Sequence, residues 1–154
     1  MSESRNLLSL IYRGVRNSLF SSDHKIMEAT RKSIHHSTLP KDVSYEDVKK
    51  VSLENCEALI IDVREPDELK ETGVLPGSIN IPLGQLESVL KDVSNEHFYA
   101  TYGKEKPTQN FPIIFSCRSG KRSASAQAIA QQLGFKRVHN YAGGWLDWEE
   151  KSKS

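Results

Sequence analysis

Short apolar runs alternate with helix-type segments along most of the chain. Three runs rich in β-branched residues lie at 58–63, 78–83 and 112–116, and a weaker strand pattern lies at 137–140. Helix-type segments lie at 44–48, 65–72, 85–93, 96–109 (a helical piece and then a loop), 124–133 and 146–150. Short continuous apolar runs are typical of strands that are buried on both faces of a parallel sheet. The alternation predicts an α/β fold in which helices cover both faces of that sheet.

Two helix boundaries are marked by individual residues. Ser44 followed by Asp47 is typical of a helix start, because each side chain can bond the backbone N–H of the other. Gly73 is expected to end the helix that begins near Glu65.

The first 40 residues have a different character. Apolar residues share one arc of a helical wheel, and basic residues lie opposite; the apolar set is Leu7, Leu8, Leu10, Ile11, Val15 and Leu19, and the basic set is Arg5, Arg13 and Arg16. This pattern predicts a mitochondrial transit peptide over 1–40 and a location in the matrix. Glu3 counts against it, since such peptides are poor in acids. The alternative is a loosely helical or disordered extension on a cytoplasmic protein.

Composition limits the classes of function. The chain has 154 residues, a net charge of +1 and no apolar run long enough to span a membrane, so neither nucleic acid binding nor a membrane span is expected.

Its two cysteines, Cys56 and Cys117, fit neither a disulfide framework nor a metal site, and they favour a reducing compartment. Cys56 is expected to be inert, with a resolving thiol as the alternative. The adjacent His35 and His36 are expected to be solvated rather than metal ligands. Oligomeric state is not indicated.

Cys117 stands where a predicted strand ends and a predicted helix begins. Binding sites in parallel sheets form at the carboxyl ends of the strands. The positive end of the following helix and the cations Arg118, Lys121 and Arg122 all favour the thiolate form of a cysteine. The sequence therefore predicts Cys117 as a nucleophile, against the alternative of a small buried core residue.

The same loop is suited to hold an anion. Gly120 permits a tight wrap, and successive backbone N–H groups, with that of Ser119 among them, can curl around a negative charge. Ser123 is expected either to cap the helix or to donate a hydrogen bond into the pocket. The predicted substrate-binding residues are Arg118, Ser119, Gly120, Lys121, Arg122 and Ser123. Thiosulfate, phosphate esters and arsenate all suit such a site.

Three motifs in order resemble those of a single-domain rhodanese, a thiosulfate sulfurtransferase. They are the loop 117–122, the segment from Ile61-Asp62-Val63-Arg64-Glu65 through Pro76-Gly77 to Asn80-Ile81-Pro82, and the segment from Gly134-Phe135 to Gly143-Gly144-Trp145. The resemblance covers the predicted domain at 43–150 and is closest to small mitochondrial members. Val74 stands where the family usually has histidine.

The resemblance implies a mostly parallel sheet of about five strands and a persulfide on Cys117. In the family, a six-residue loop fits a sulfur atom, whereas cysteine phosphatases have one more residue before their arginine. Here four residues separate Cys117 from Arg122, which favours sulfur transfer. The implied donor is thiosulfate or a related persulfide, the acceptor is a thiol or cyanide, and no cofactor or metal is needed.

One further role follows from the same resemblance. Asp62 and Arg64 are expected to form a supporting ion pair, with direct substrate contact as the alternative. Trp145 is expected to pack in the core, with the pocket rim as the alternative. Two rival functions stay open: a non-catalytic binding or regulatory module of the same fold, and a cysteine phosphatase or arsenate reductase.

Overall fold

The computed structural model describes residues 39–53 and 58–154. The strands within them are β1 (Asp42–Val43), β2 (Leu59–Asp62), β3 (Ile79–Asn80), β4 (Ile113–Ser116) and β5 (Val138–Tyr141). The helices are α1 (Tyr45–Leu53), α2 (Pro66–Thr72), α3 (Leu83–Asp92), α4 (Asn95–Tyr102), α5 (Lys121–Gln132) and α6 (Gly144–Ser152). Apart from Leu39 and Pro40, the predicted targeting segment lies outside the described residues, as do Cys56, His35 and His36.

The strands form one parallel sheet in the order β1-β5-β4-β2-β3. The predicted fold class is confirmed, with five strands. β1 is the strand that the pattern of apolar residues does not predict. It has only two residues, Asp42 and Val43, which pair with Asn140 and Tyr141. A strand this short has no periodicity of its own, and its pairing with β5 defines it.

The sheet is covered on both faces, which explains the continuous apolar runs of the central strands. Ile60 and Ile114 point to one face, where they pack with apolar residues of α1 and α6. Ile61 and Phe115 point to the opposite face, where they pack with residues of α3, α4 and α5. Because adjacent residues of a strand point to opposite faces, a strand covered on both sides must be apolar at every position.

Helix boundaries differ from the predicted ones by a few residues. At the start of α1, the Ser44 N–H donates to Asp47 (2.9 Å) and the Asp47 N–H donates to the Ser44 hydroxyl (3.3 Å), as predicted. Gly73 ends α2 with a φ of +100°, also as predicted. The last helix is longer than the predicted 146–150 at both ends, because it begins at Gly144, directly after the Gly143 turn, and continues to Ser152. No helix within 39–53 and 58–154 is both long and apolar enough to cross a membrane.

The carboxyl ends of β2 and β4 place the candidate chemistry at one edge of the sheet. Asp62 is the register partner of Ser116, and the Val63 N–H donates to the Ser116 carbonyl at 2.8 Å. Cys117 and Arg64 follow within two residues of these ends. Two motifs that are more than 50 positions apart in sequence therefore meet at this edge.

Candidate active site

Cys117 lies directly after β4, at the N-terminal end of α5. Its side chain is buried, with 1% of its surface exposed. The Gly120 N–H donates to Cys117 Sγ at 3.1 Å, and Ser123 Oγ lies 3.3 Å from the same sulfur. When Cys117 is a thiolate it can only accept, so the Ser123 hydroxyl must then be the donor.

These contacts set the ionisation of Cys117, the predicted nucleophile. Burial raises the pKa of the Cys117 thiol, but hydrogen bonds from the Ser123 hydroxyl and from the backbone N–H groups of Ser123, Ser119 and Gly120 outweigh burial. The pKa of Cys117 is therefore below its usual value. Since the thiolate is the reactive form of cysteine, a lower pKa favours the reactive form of this sulfur.

One of the two predicted roles of Ser123 is wrong. The residue that caps α5 is Gly120, which has a left-handed φ of +83° and gives no side-chain cap. Ser123 lies inside the first turn of the helix, fully buried, and its hydroxyl faces the sulfur. Because the chain turns into the helix at Gly120, Ser123 is too far along to bond the first N–H groups of the helix.

The start of α6 fixes the orientation of the loop. The Trp145 N–H donates to the Cys117 carbonyl at 2.8 Å, and the Leu146 N–H donates to the Arg118 carbonyl at 3.2 Å. These are N–H groups that a helix start leaves without partners inside the helix. The loop carbonyls are thereby held toward α6, which leaves the N–H groups free to face Sγ. Gly144 is required here, because a Cβ on it would lie 2.5 Å from the Cys117 oxygen.

The predicted anion-binding residues are divided between the surface and the interior. Arg118, Ser119 and Lys121 are exposed, whereas Gly120 and Ser123 are buried. Among the described residues, no carboxylate lies within 4 Å of the charged groups of Arg118 or Lys121. These two cations are therefore available to an anion that approaches the mouth of the site.

Arg122 has a partner that sequence reasoning missed. Its Nη1 lies 2.6 Å from Glu68 Oε2, and its Nη2 lies 2.7 Å from Glu68 Oε1. The hydrogen bond from Arg122 lowers the pKa of Glu68 to about 2, so the pair is fully ionised at neutral pH. The sequence marks Glu68 only as a residue of a helix start, and no local pattern links it to a loop 54 positions away. Contact of Arg122 with a donor remains a prediction.

Asp62 and Arg64 form the ion pair that the sequence predicts. Arg64 Nη2 lies 2.7 Å from Asp62 Oδ2, and the two side chains are 1% and 0% exposed. Arg64 also donates to Thr72 Oγ1 at 2.8 Å and to the Gly73 carbonyl at 3.1 Å, which ties the end of α2 to β2. Support of the active site by this pair stays a prediction.

Trp145 packs in the core, as expected. It is 8% exposed and belongs to the apolar cluster on the α1 and α6 face of the sheet. The Arg64 guanidinium lies over its ring, 4.9 Å from the centroid, a distance at which cation–π attraction is significant.

Val74, in the position of the family histidine, is half exposed after α2, so this replacement leaves the buried core unaffected.

Comparison with known proteins gives consistent matches. The family model described as a rhodanese-like domain matches residues 44–151. A Schizosaccharomyces pombe protein, provisionally named a mitochondrial thiosulfate sulfurtransferase, is 41% identical over 129 residues, or 80% of this chain and 89% of that protein. The human thiosulfate:glutathione sulfurtransferase is 39% identical over 95 residues, or 61% of this chain and 81% of the relative.

A solved structure extends the similarity to three dimensions. The human single-domain sulfurtransferase matches this chain with a TM-score of 0.66 and 35% sequence identity. The match covers 73% of this chain and 97% of the human one. The fold and the sequence motifs therefore agree on the same class of protein.

Proposed function

Because this chain belongs to the rhodanese-like domain family, we propose that it is a sulfurtransferase that carries sulfur as a persulfide on Cys117. One observation carries the proposal: a buried cysteine of lowered pKa accepts a hydrogen bond from the Gly120 N–H and, as a thiolate, from the Ser123 hydroxyl. The same donors are suited to hold the negative charge of a persulfide after transfer. The sulfurtransferase names of the two relatives support this assignment.

In the first half-reaction, the Cys117 thiolate attacks the outer sulfur of thiosulfate. A sulfur–sulfur bond forms to Cys117 while the sulfur–sulfur bond of thiosulfate breaks, and sulfite leaves with the electron pair of that bond. The products are a Cys117 persulfide anion and sulfite, so no proton and no external oxidant is needed. Arg118 and Lys121 attract the oxygens of the donor at the mouth of the site.

In the second half-reaction, an acceptor thiolate attacks the outer sulfur of the persulfide. The bond to Cys117 breaks, the acceptor leaves as its own persulfide and the Cys117 thiolate is restored. The hydrogen bonds from Gly120 and Ser123 make Cys117 a good leaving group, since a thiol of lower pKa leaves faster. Glutathione is a suitable acceptor, given the name of the human relative, and cyanide would give thiocyanate.

The test is a mass measurement on the intact protein. Incubation with thiosulfate is expected to add about 32 Da, one sulfur atom, to Cys117, and later addition of cyanide is expected to remove it as thiocyanate. Cys117→Ser should show neither product. Cys56→Ser is the matched control, because it removes the other cysteine and should behave as the natural protein does.

Two other outcomes would contradict the proposal. If neither thiosulfate nor glutathione persulfide produces the adduct, the non-catalytic module becomes the better interpretation. If the protein instead hydrolyses a generic aryl phosphate, and Cys117→Ser abolishes that reaction, it is a phosphatase.

The location of the protein is a separate proposal. We infer that it is mitochondrial, because residues 1–40 have the composition of a transit peptide and the fission yeast relative is named as mitochondrial. A fluorescent protein fused after residue 40 is expected to enter mitochondria. A diffuse cytosolic signal would contradict the inference and favour the cytoplasm.

A further inference from the structure

The pair between Glu68 and Arg122 joins α2 to residues 117–122, the active loop. Both nitrogens at the end of the arginine face both carboxylate oxygens, at 2.6 and 2.7 Å. Parallel double contact of this kind is the strongest common geometry between arginine and a carboxylate. Only about a third of each side chain is exposed, at 36% for Arg122 and 29% for Glu68, so water screens the pair incompletely.

Glu68 is held in place independently of Arg122. Its Oε2 also accepts the Glu65 N–H at 3.0 Å, which completes the start of α2. The other end of α2 is tied by Arg64, through Thr72 and Gly73. A carboxylate on a helix that is fastened at both ends has a fixed position beside the loop.

The charge of the active loop follows from this arrangement. The loop contributes three cations, Arg118, Lys121 and Arg122. The pKa of Arg122 is raised chiefly by its hydrogen bond to Glu68 and to a smaller extent by the charge of the Cys117 thiolate, so Arg122 lies within the electrostatic field of the sulfur. Glu68 therefore places one compensating negative charge within the field that a donor or a departing sulfite would meet.

We propose that Glu68 is a specificity-determining residue, which sets the anion affinity of the active loop by cancelling the charge of Arg122. In a two-step transfer, the active loop must bind the donor and then release sulfite before the second step. Thiosulfate and sulfite are both anions, so a loop with three uncompensated cations would bind the donor tightly and also retain the product. With Glu68 present, the sulfite formed in the first step leaves before the acceptor arrives.

The alternative is that Glu68 only holds Arg122 in position. The two interpretations predict opposite signs for the same substitution. Glu68→Gln keeps an oxygen for Arg122 and still suits the third position of a helix start, where glutamine serves as well as glutamate. If Glu68 acts by compensating the charge of Arg122, anions should bind more tightly to Glu68→Gln. If Glu68 only positions Arg122, anions should bind more weakly to this variant.

The experiment compares four proteins of full length by steady-state kinetics. In Glu68→Gln, the KM for thiosulfate and the inhibition constant for sulfite are expected to fall together, by about 3- to 10-fold, with a steeper dependence on salt. Arg122→Gln is expected to raise both. The double variant restores the net charge of the natural pair, and its constants are expected to return to near the natural values.

Glu71→Gln is the matched control. Glu71 is an exposed residue of α2, and no ion pair within 4 Å involves it among the described residues. The Glu71→Gln substitution removes the same charge from the same helix as Glu68→Gln does. The KM of this control for thiosulfate should stay within about twofold of the natural value. A raised or unchanged KM in Glu68→Gln would overturn the proposal, as would a double variant no better than Arg122→Gln.

A second measurement needs no turnover. Sulfate, an unreactive anion, is expected to protect Cys117 from alkylation by iodoacetamide, and half-protection should need about 3- to 10-fold less sulfate in Glu68→Gln than in the natural protein. Equal protection in the two proteins would overturn the proposal. The identification of thiosulfate as the donor and sulfite as the product rests on the proposed function. Because protection is measured without persulfide formation, the proposed function could fail while this inference stands, and the reverse is also true.

Discussion

Gly120→Ala is expected to slow persulfide formation on Cys117 by at least about 100-fold while the domain stays folded. Gly120 has a φ of +83°, a conformation that side chains resist. A Cβ on it would lie 2.8 Å from the carbonyl carbon and 2.9 Å from the Cα of Ala142, and nearer still to the oxygen. Ala142 belongs to the backbone between β5 and α6, so the loop must move instead. The Gly120 N–H, which donates to Sγ at 3.1 Å, would move with it.

Gly103→Ala separates this effect from ordinary backbone strain. Gly103 ends α4 with a φ of +66°, but a Cβ there would meet no other atom within 4 Å. It should cost about 1 kcal/mol of stability and leave the rate of persulfide formation unchanged. Single-turnover mass measurements give the rates, and thermal melts give the stabilities. If Gly120→Ala keeps the natural rate within about threefold, close contact with Ala142 does not hold the loop in its active form.

The features of this protein that could be predicted from its sequence are those with local signals. The run Ile113–Ser116 identifies a doubly buried strand, because every position is apolar or small. Cys117 can be proposed as a nucleophile from sequence because the strand before it, the helix after it and the nearby basic residues lie in one short segment. Gly73 marks the end of α2 because a positive φ favours glycine.

Other features depend on contacts between distant segments, and no local pattern carries them. β1 becomes a strand because Asp42 and Val43 meet β5 almost 100 positions later. The role proposed for Glu68 depends on Arg122 lying opposite it, and the sequence alone gives Glu68 only a place in a helix start. The sequence leaves two roles for Ser123, because the choice between a cap and a pocket donor depends on the residue at which α5 begins. Helix ends are uncertain by about one or two residues in sequence-based prediction.

A chain of contacts connects the buried ion pair to the active loop. Asp62 holds Arg64, Arg64 lies over the Trp145 ring, and the Trp145 N–H holds the Cys117 carbonyl. Arg64 also fastens the end of α2, the helix that carries Glu68. The Arg64 guanidinium therefore supports the active loop through two partners, the Trp145 ring and the end of α2. Within the described residues, no hydrogen bond joins Arg64 directly to the loop.

Asp62→Ala is consequently expected to cost about 3–5 kcal/mol in the free energy of unfolding. The carboxylate of Asp62 accepts from the backbone N–H, Nε and Nη2 of Arg64, all between 2.7 and 3.0 Å. Its removal leaves a charged guanidinium 1% exposed, with no other acidic side chain of 39–53 or 58–154 in an ion pair with it. The desolvation of that charge, rather than the lost attraction, is the larger part of the penalty. Urea unfolding at neutral pH measures the difference.

Asp67→Ala is the control for this prediction. Asp67 also pairs with a cation, Lys70, at 3.0 Å, but the two side chains are 87% and 76% exposed. An exposed pair is worth about 0–1 kcal/mol, because water solvates either charge when its partner is lost. If the two substitutions cost the same, the Arg64 guanidinium must reach water or another partner once Asp62 is removed. The support of the active loop by the buried pair would then be contradicted, since a guanidinium that leaves its place no longer fastens Thr72 or stacks on Trp145.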